Sequence, residues 1–175
     1  VVEFSHGKQQ GVPLLKGAVM GLDMYLHAKK YVSGWSHEKD TSEYQRLRAL
    51  YPEVEIDEGS PSIELVFTVG YWRKANAIHS WFVQNVQKGE DDCRPYYVEQ
   101  DDLIKLKEAC SLELLVPASA GGGGVLEPAS GFFFGNPERD DWYYENINRT
   151  IQIVDKCLAL PQDNWKWSFE YQSSW

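Results

Sequence analysis

Between Tyr71 and Val83 the chain reads YWRKANAIHSWFV, which crowds Trp72, Arg73, Lys74, Asn76, His79 and Trp81 into one short stretch. Each residue type has a use. A guanidinium and an ammonium beside the free N–H groups of a helix start can hold phosphate or carboxylate. An imidazole can move a proton, and an indole offers a face on which a base can stack. Read as a helix, the stretch divides into two stripes. Tyr71, Ala75, Ile78, Phe82 and Val86 recur at steps of three and four and form a core stripe, and Trp72, Asn76, His79 and Val83 run beside it. Arg73 and Lys74 in a first turn would oppose the helix dipole at a cost of roughly a few tenths of a kcal/mol each. Either an anionic guest or an internal carboxylate is expected to offset that cost, and the chain has 26 acidic side chains to choose from. His79 has the same two readings, as a hydrogen-bonded boundary residue or as a general acid or base.

Other chemistries leave little trace. The four glycines at 121–124 are not followed by Lys-Ser or Lys-Thr, so the phosphate-binding loop is missing, as are G-x-S-x-G and H-E-x-x-H. None of His6, His27, His37 and His79 opens an H-x-S or H-x-T pair. Cys93, Cys110 and Cys157 are too far apart for a zinc knuckle or a disulfide framework, which fits reduced thiols and a cytoplasmic protein. A triad of His79 or His27 with a carboxylate and Cys93 has no local signature. No cofactor and no metal are expected.

The elements that must carry these residues are legible from their periods. From Met20 to Lys29 the chain alternates, with Met20, Leu22, Met24, Leu26 and Ala28 inward and Asp23, Tyr25, His27 and Lys29 outward. Tyr25 and His27 thereby become candidates to join the ligand site. Tyr44, Leu47 and Tyr51 mark a helix capped by Asp40, Thr41 or Ser42 and ended by Pro52. Ile63, Leu65, Phe67 and Val69 mark a second strand that Gly70 is expected to close, with the Tyr71 helix next. Tyr96 to Val98 is a short extended piece. Asp101 or Asp102 caps a helix with Leu103, Leu106 and Cys110 on one face. Asn136 is expected to cap a long helix with Pro137 at its first position and Tyr143, Ile147, Ile151, Val154 and Leu158 along one stripe. Phe132, Phe133 and Phe134 precede it, either as core or as a stacking wall. Trp165, Trp167, Phe169 and Tyr171 alternate in a last strand.

These elements predict an α+β fold: an antiparallel or mixed sheet with helices packed on one face. A length of 175 residues fits one domain, taken as residues 20–175, with 1–19 as an N-terminal arm or leader. The Gly-rich run at 121–124 reads as a surface loop. With 14% aromatic residues the chain is not of a disordered composition, and its formal charge of -9 argues against direct nucleic-acid binding. No apolar run suggests a membrane span, and 1–10 does not look like a secretion signal. Asn148-Arg149-Thr150 spells a glycosylation acceptor but lies inside the periodic helix.

Taken together, MGLDMYLHAKKYV from Met20, VGYWRKANAIHSWFVQNVQ from Val69, and SGFFFG followed by DDWYYENI resemble a family of small bacteriophage and prophage proteins with no assigned function. The resemblance spans about residues 20–160 and carries no catalytic residues with it. It implies a phage-encoded protein in the bacterial cytoplasm. Members begin near Met20, and the AGGGGVLEPAS insertion is longer than is usual for them. The expectation is a noncatalytic protein that engages a host component or sequesters a phosphate-bearing small molecule, as part of counter-defence. Its site would be Trp72, Arg73, Lys74, Asn76 and His79, joined by Tyr25 and His27. The alternatives are a nucleotide-processing enzyme using His79 and Arg73, and an acidic protein-binding inhibitor that mimics nucleic acid. A homo-oligomer is allowed by an exposed aromatic sheet face.

Overall fold

The computed structural model describes residues 21–35, 41–115, 124–131, 134–161 and 167–175. The arm at 1–19, Met20, Asp40, His6, His37, Gly121 to Gly123, Phe132, Phe133, Trp165 and Lys166 lie outside them. The order is β1 (Asp23–Ser33), α1 (Ser42–Leu50), β2 (Ser62–Arg73), α2 (Asn76–Asn85), β3 (Tyr96–Val98), α3 (Gln100–Leu115), α4 (Asp141–Leu158) and β4 (Trp167–Ser174). The strands form one sheet in the order β2-β1-β4-β3, and all three pairings are antiparallel. The fold is therefore α+β with an antiparallel sheet.

The alternation read from the sequence sets the two faces of the sheet. Leu22, Met24, Leu26 and Ala28 are fully buried, as are Tyr171 of β4 and, on the helices, Leu103, Leu106, Cys110 and Val154. The other face carries Asp23, Tyr25, His27 and Lys29 of β1, with Lys29 paired to Glu170 at 2.7 Å. Tyr25 and His27 lie parallel there, with centroids 6.2 Å apart. Among the described residues no helix is long and apolar enough to cross a membrane.

Two boundaries differ from expectation. The second strand does not stop at Gly70 but runs to Arg73, and α2 starts at Asn76, so Tyr71, Trp72 and Arg73 are strand residues. The cause is a bulge. Leu26 pairs with Gly70 and His27 with Thr68, which leaves Val69 as an extra residue that re-phases the strand. Beyond it, Tyr71 and Arg73 face outward and Trp72 enters the core, where its indole N–H donates to the Thr150 hydroxyl at 2.9 Å. Bulky aromatics sit well on a pleated surface, so the stretch that could be helical is extended. Phe67, on the inner face opposite Ala28, is nonetheless 46% exposed, beside Trp167.

The second difference is the cap of α4. Asp140, not Asn136, is the N-cap, and its carboxylate accepts from the Tyr143 N–H at 2.9 Å. Asn136 instead closes a turn, accepting from the Glu138 N–H at 3.1 Å, and Pro137 stays in the loop. Both residues are good caps, and the one that can reach an N–H of the buried Tyr143 turn wins. The acceptor triplet at Asn148 lies inside α4, with Thr150 fully buried.

Replacing Thr150 with Val keeps the volume but leaves the Trp72 N–H buried without an acceptor. A loss of about 1–3 kcal/mol is expected in urea unfolding; equal stability of T150V and the parent would refute the role given to this bond.

Candidate functional site

The seven residues singled out from the sequence divide among three places. Lys74 and Asn76 line a cavity; Trp72 and His79 are in the core; Arg73, Tyr25 and His27 are on the outer face of the sheet. Arg73 leaves the helix start because it belongs to β2, where one guanidinium nitrogen is 3.4 Å from an Asp23 carboxylate oxygen. The internal-carboxylate reading therefore holds for Arg73. Among the described residues nothing similar engages the Lys74 ammonium.

The cavity forms where two helices begin. Lys74 to Ile78 provide one wall and Gly135, Asn136, Asp140, Trp142, Tyr143, Asn146 and Ile147 the other. It encloses about 80 Å³, well above the roughly 10–15 Å³ that one water occupies on such a measure. The N-cap of α2 is Ala75, which has no side chain to accept from the first turn. The N–H groups of Asn76, Ala77 and Ile78 have no acceptor within the helix, and the first that does is that of His79, bonded to the Ala75 carbonyl at 2.9 Å. The residues that carry these amides line the cavity, at the positive end of the helix.

Local backbone fixes this geometry. Lys74 has φ of 56°, a left-handed conformation that a side chain adopts only at some cost. Its N–H donates to the Leu22 carbonyl at 2.7 Å, which makes the sharp turn from β2 into α2. Across the gap, Gly135 has φ of 86°, and a Cβ on it would stand 3.1 Å from that of Lys74. Asn76, 3% exposed, donates from its amide to the Asn136 carbonyl at 2.8 Å and ties the two walls together. Trp142 is 52% exposed at the rim.

His79 is elsewhere, and its surroundings explain its burial. Its Nδ1 is 2.8 Å from the Tyr171 hydroxyl and its Nε2 3.0 Å from an Asp91 carboxylate oxygen. In the neutral ring the carboxylate, which only accepts, fixes the proton on Nε2 and leaves Nδ1 to accept from the hydroxyl. Burial, and then the Asp91 charge, push Tyr171 well above the ordinary phenol value, so that hydroxyl keeps its proton. The line of three resembles a catalytic relay. Its outer member, however, is a fully buried tyrosine packed flat on Phe82 with centroids 3.9 Å apart, where no substrate atom can reach. Phe134 closes over His79 at 5.0 Å as core.

Two of the three thiols, Cys110 and Cys157, are equally enclosed, whereas Cys93 is half-buried. Burial raises Cys110 to about 12 and Cys157 to about 11, too high for either to serve as a nucleophile near neutral pH. Among the described residues no group of three or more His, Cys, Asp or Glu side chains is arranged to hold a metal.

A second polar cluster steadies the α4 wall. Glu113 of α3 is 1% exposed, and its carboxylate accepts from the Tyr143 hydroxyl at 2.8 Å, Arg139 Nε at 2.8 Å and the Leu126 N–H at 3.0 Å. Burial by itself would raise its carboxyl; the three donors outweigh that and hold it below the usual glutamate value. Nothing in the local sequence of Glu113 signals this role, because its partners come from two other segments, Leu126 and the start of α4 with Arg139 just before it. The same is true of Asn146 and Trp142, which are not part of the apolar stripe read from the helical pattern and come to the cavity only through packing.

Comparison of the chain with protein-family models, with curated proteins and with solved structures finds no match.

Glu113→Leu, which strands Arg139 and two buried donors, is expected to cost about 3–5 kcal/mol. Because the folded carboxyl titrates below its unfolded value of 4.5, its contribution is complete above that pH and fades as pH falls through the folded value. Glu113→Gln should accordingly show a shallower loss of stability below pH 4.5 than the parent in acid denaturation; superimposable pH profiles would show that Glu113 is not held ionised.

Proposed function

We propose that the protein binds a phosphate-bearing small molecule at the Lys74 cavity and releases it unchanged. The observation that carries this reading is the uncapped start of α2, which lies at a partly open cleft that is also lined by Lys74, whose ammonium has no internal partner among the described residues. Amides at a helix start favour an anion through both their hydrogen bonds and the helix dipole. The left-handed turn at Lys74 supports it too, since strain of this kind is kept where the surrounding structure uses the geometry.

The other wall favours a ligand larger than inorganic phosphate. The half-exposed Trp142 ring at the rim can stack on a planar group. The Asp140 and Asn146 side chains at the same wall suit hydroxyl and amine donors, which phosphate at neutral pH largely lacks. A nucleotide combines these features. Withdrawing such a molecule from a host response is the form that counter-defence would take in a phage-encoded protein of the kind this chain resembles. Turnover has less to rest on, because His79 is not at the cavity and both of its ring nitrogens are engaged in the core.

Calorimetric titration with a panel of nucleoside mono- and diphosphates, and with inorganic phosphate alone, is the direct test. At least one nucleotide should bind with Kd in the micromolar range and be recovered intact. Lys74→Glu should weaken it by tenfold or more, about 1.4 kcal/mol, while Arg73→Ala changes it little, since that guanidinium is on the outer sheet face. Equal losses in the two variants, no binding anywhere in the panel, or hydrolysis of the ligand would each overturn the reading.

A further inference from the structure

Asn146 lies on the buried side of α4 beside Tyr143, Ile147 and Thr150, and is only 6% exposed. A buried side-chain amide is stable where both of its ends find partners. One end does: Nδ2 donates to the Trp142 carbonyl at 2.9 Å. The end of an amide that meets a carbonyl oxygen must be the amine, so the group left over is the oxygen, Oδ1. Among the described residues that oxygen has no hydrogen-bond partner. Gln87 Oε1 and Ser173 Oγ also lack one and are sealed from solvent, but Asn146 Oδ1 is not sealed, and its residue lines the Lys74 cavity.

Trp142 precedes Asn146 by one helical turn, so the two side chains share a face of α4 with Cβ atoms about 5–6 Å apart. The indole is half-exposed at the rim. A flat ring stacked on it and reaching inward therefore brings its edge to the Asn146 amide. The backbone beneath is held in place, because the Thr150 hydroxyl that accepts from the Trp72 indole N–H donates in turn to the Asn146 carbonyl at 2.7 Å. Ala75, Ala77 and Ile78 on the facing wall give such a ring an apolar surface for its other side.

We infer that Asn146 reads the edge of a nucleobase stacked on Trp142, accepting a base N–H at Oδ1 and donating its second amide N–H to the neighbouring acceptor of the base. The inference rests on the reading of the cavity as a nucleotide site, and names the residue that selects the base. An amide offers an acceptor and a donor side by side, the pattern that a base edge presents in reverse. Phosphate has no N–H to give, and a ribose has hydroxyl donors but no flat face for the indole. Asn76 also keeps its Oδ1 free, since its amine donates to the Asn136 carbonyl. It stands in the first turn of α2, however, where the unpaired amides call for an anion and not for a base edge. The two α4 residues divide the work: stacking tolerates any base, whereas a buried amide left unpaired by the wrong edge discriminates.

Calorimetric titration of the full chain with AMP, GMP, CMP, UMP and ribose 5-phosphate tests this division. In the unsubstituted protein the tightest nucleotide should bind about tenfold or more above ribose 5-phosphate, and the four nucleotides should differ among themselves by about as much. Asn146→Leu should cost the tightest nucleotide about tenfold and bring the four close together, with ribose 5-phosphate unchanged. Trp142→Leu should weaken all four by a similar factor and keep their spread. Urea unfolding checks that each variant is folded, and the first comparison needs no variant. Equal affinity for all four nucleotides, ribose 5-phosphate binding as tightly as they do, or a spread that survives Asn146→Leu would each overturn the role of Asn146 while phosphate binding at Lys74 stands. Binding by none of the five ligands would overturn both.

Discussion

Helix α4 can rest directly on β2 because Gly70 has no side chain: a Cβ there would stand 2.8 Å from an Ile153 methyl carbon and 3.2 Å from Leu26 Cβ. The next inward position, Trp72, fills the space this close approach leaves at its side and is held by the hydroxyl of Thr150, one turn back along α4. Contacts of this density tolerate little change in volume, so the distance and rotation of α4 relative to the strand are fixed together. The bulge at Val69 is what brings Gly70 and Trp72 onto the same inner face as Leu26. Two residues after Trp72 the chain turns sharply at Lys74, and ten residues before Thr150 lies the cap Asp140. Both walls of the cavity are thus set by one strand–helix contact.

The buried polar groups of the helical layer fit the same logic. His79, Glu113, Thr150 and Asn76 are each nearly inaccessible, and each has found a partner from a distant segment. Unpaired, any of them would cost as much as a good apolar contact contributes, so their pairing restricts how the helices can be arranged. The His79 line spans α2, the loop at Asp91 and β4. The Glu113 cluster spans α3, Leu126 and the start of α4. Between them they hold the layer at two places, and the Glu113 cluster reaches the cavity through Tyr143, which lines its wall.

Charge follows position in a similar way. Arg73 and Lys74 are neighbours in the chain but serve opposite sides of the sheet, because successive strand residues alternate and the turn after Arg73 reverses direction. Arg73 settles beside Asp23 with Tyr71, whose hydroxyl donates to the same carboxylate at 2.5 Å. Lys74 is left beside the α2 amides. One cation is largely accounted for by its own chain, and the other is directed at a space.

The sequence by itself determined the class of fold and most of its core. Alternation named Leu22, Met24, Leu26, Ala28, Phe169 and Tyr171 as inward, and the helical period did the same for Leu103, Leu106, Cys110, Ile147 and Val154. These patterns are local and depend only on side-chain direction within one element. Tertiary structure alone decided where β2 ends and which residues meet at the cavity. In YWRKANAIHSWFV both the strand and the helix periods can be satisfied; the choice is made by a bulge that exists only in register with β1 and by a slot that exists only beneath α4. Trp142, Asp140 and Asn146 could not be joined to Lys74 from the sequence for the same reason: the two helix starts are over sixty residues apart, and their approach is a property of the packed layer, not of either segment.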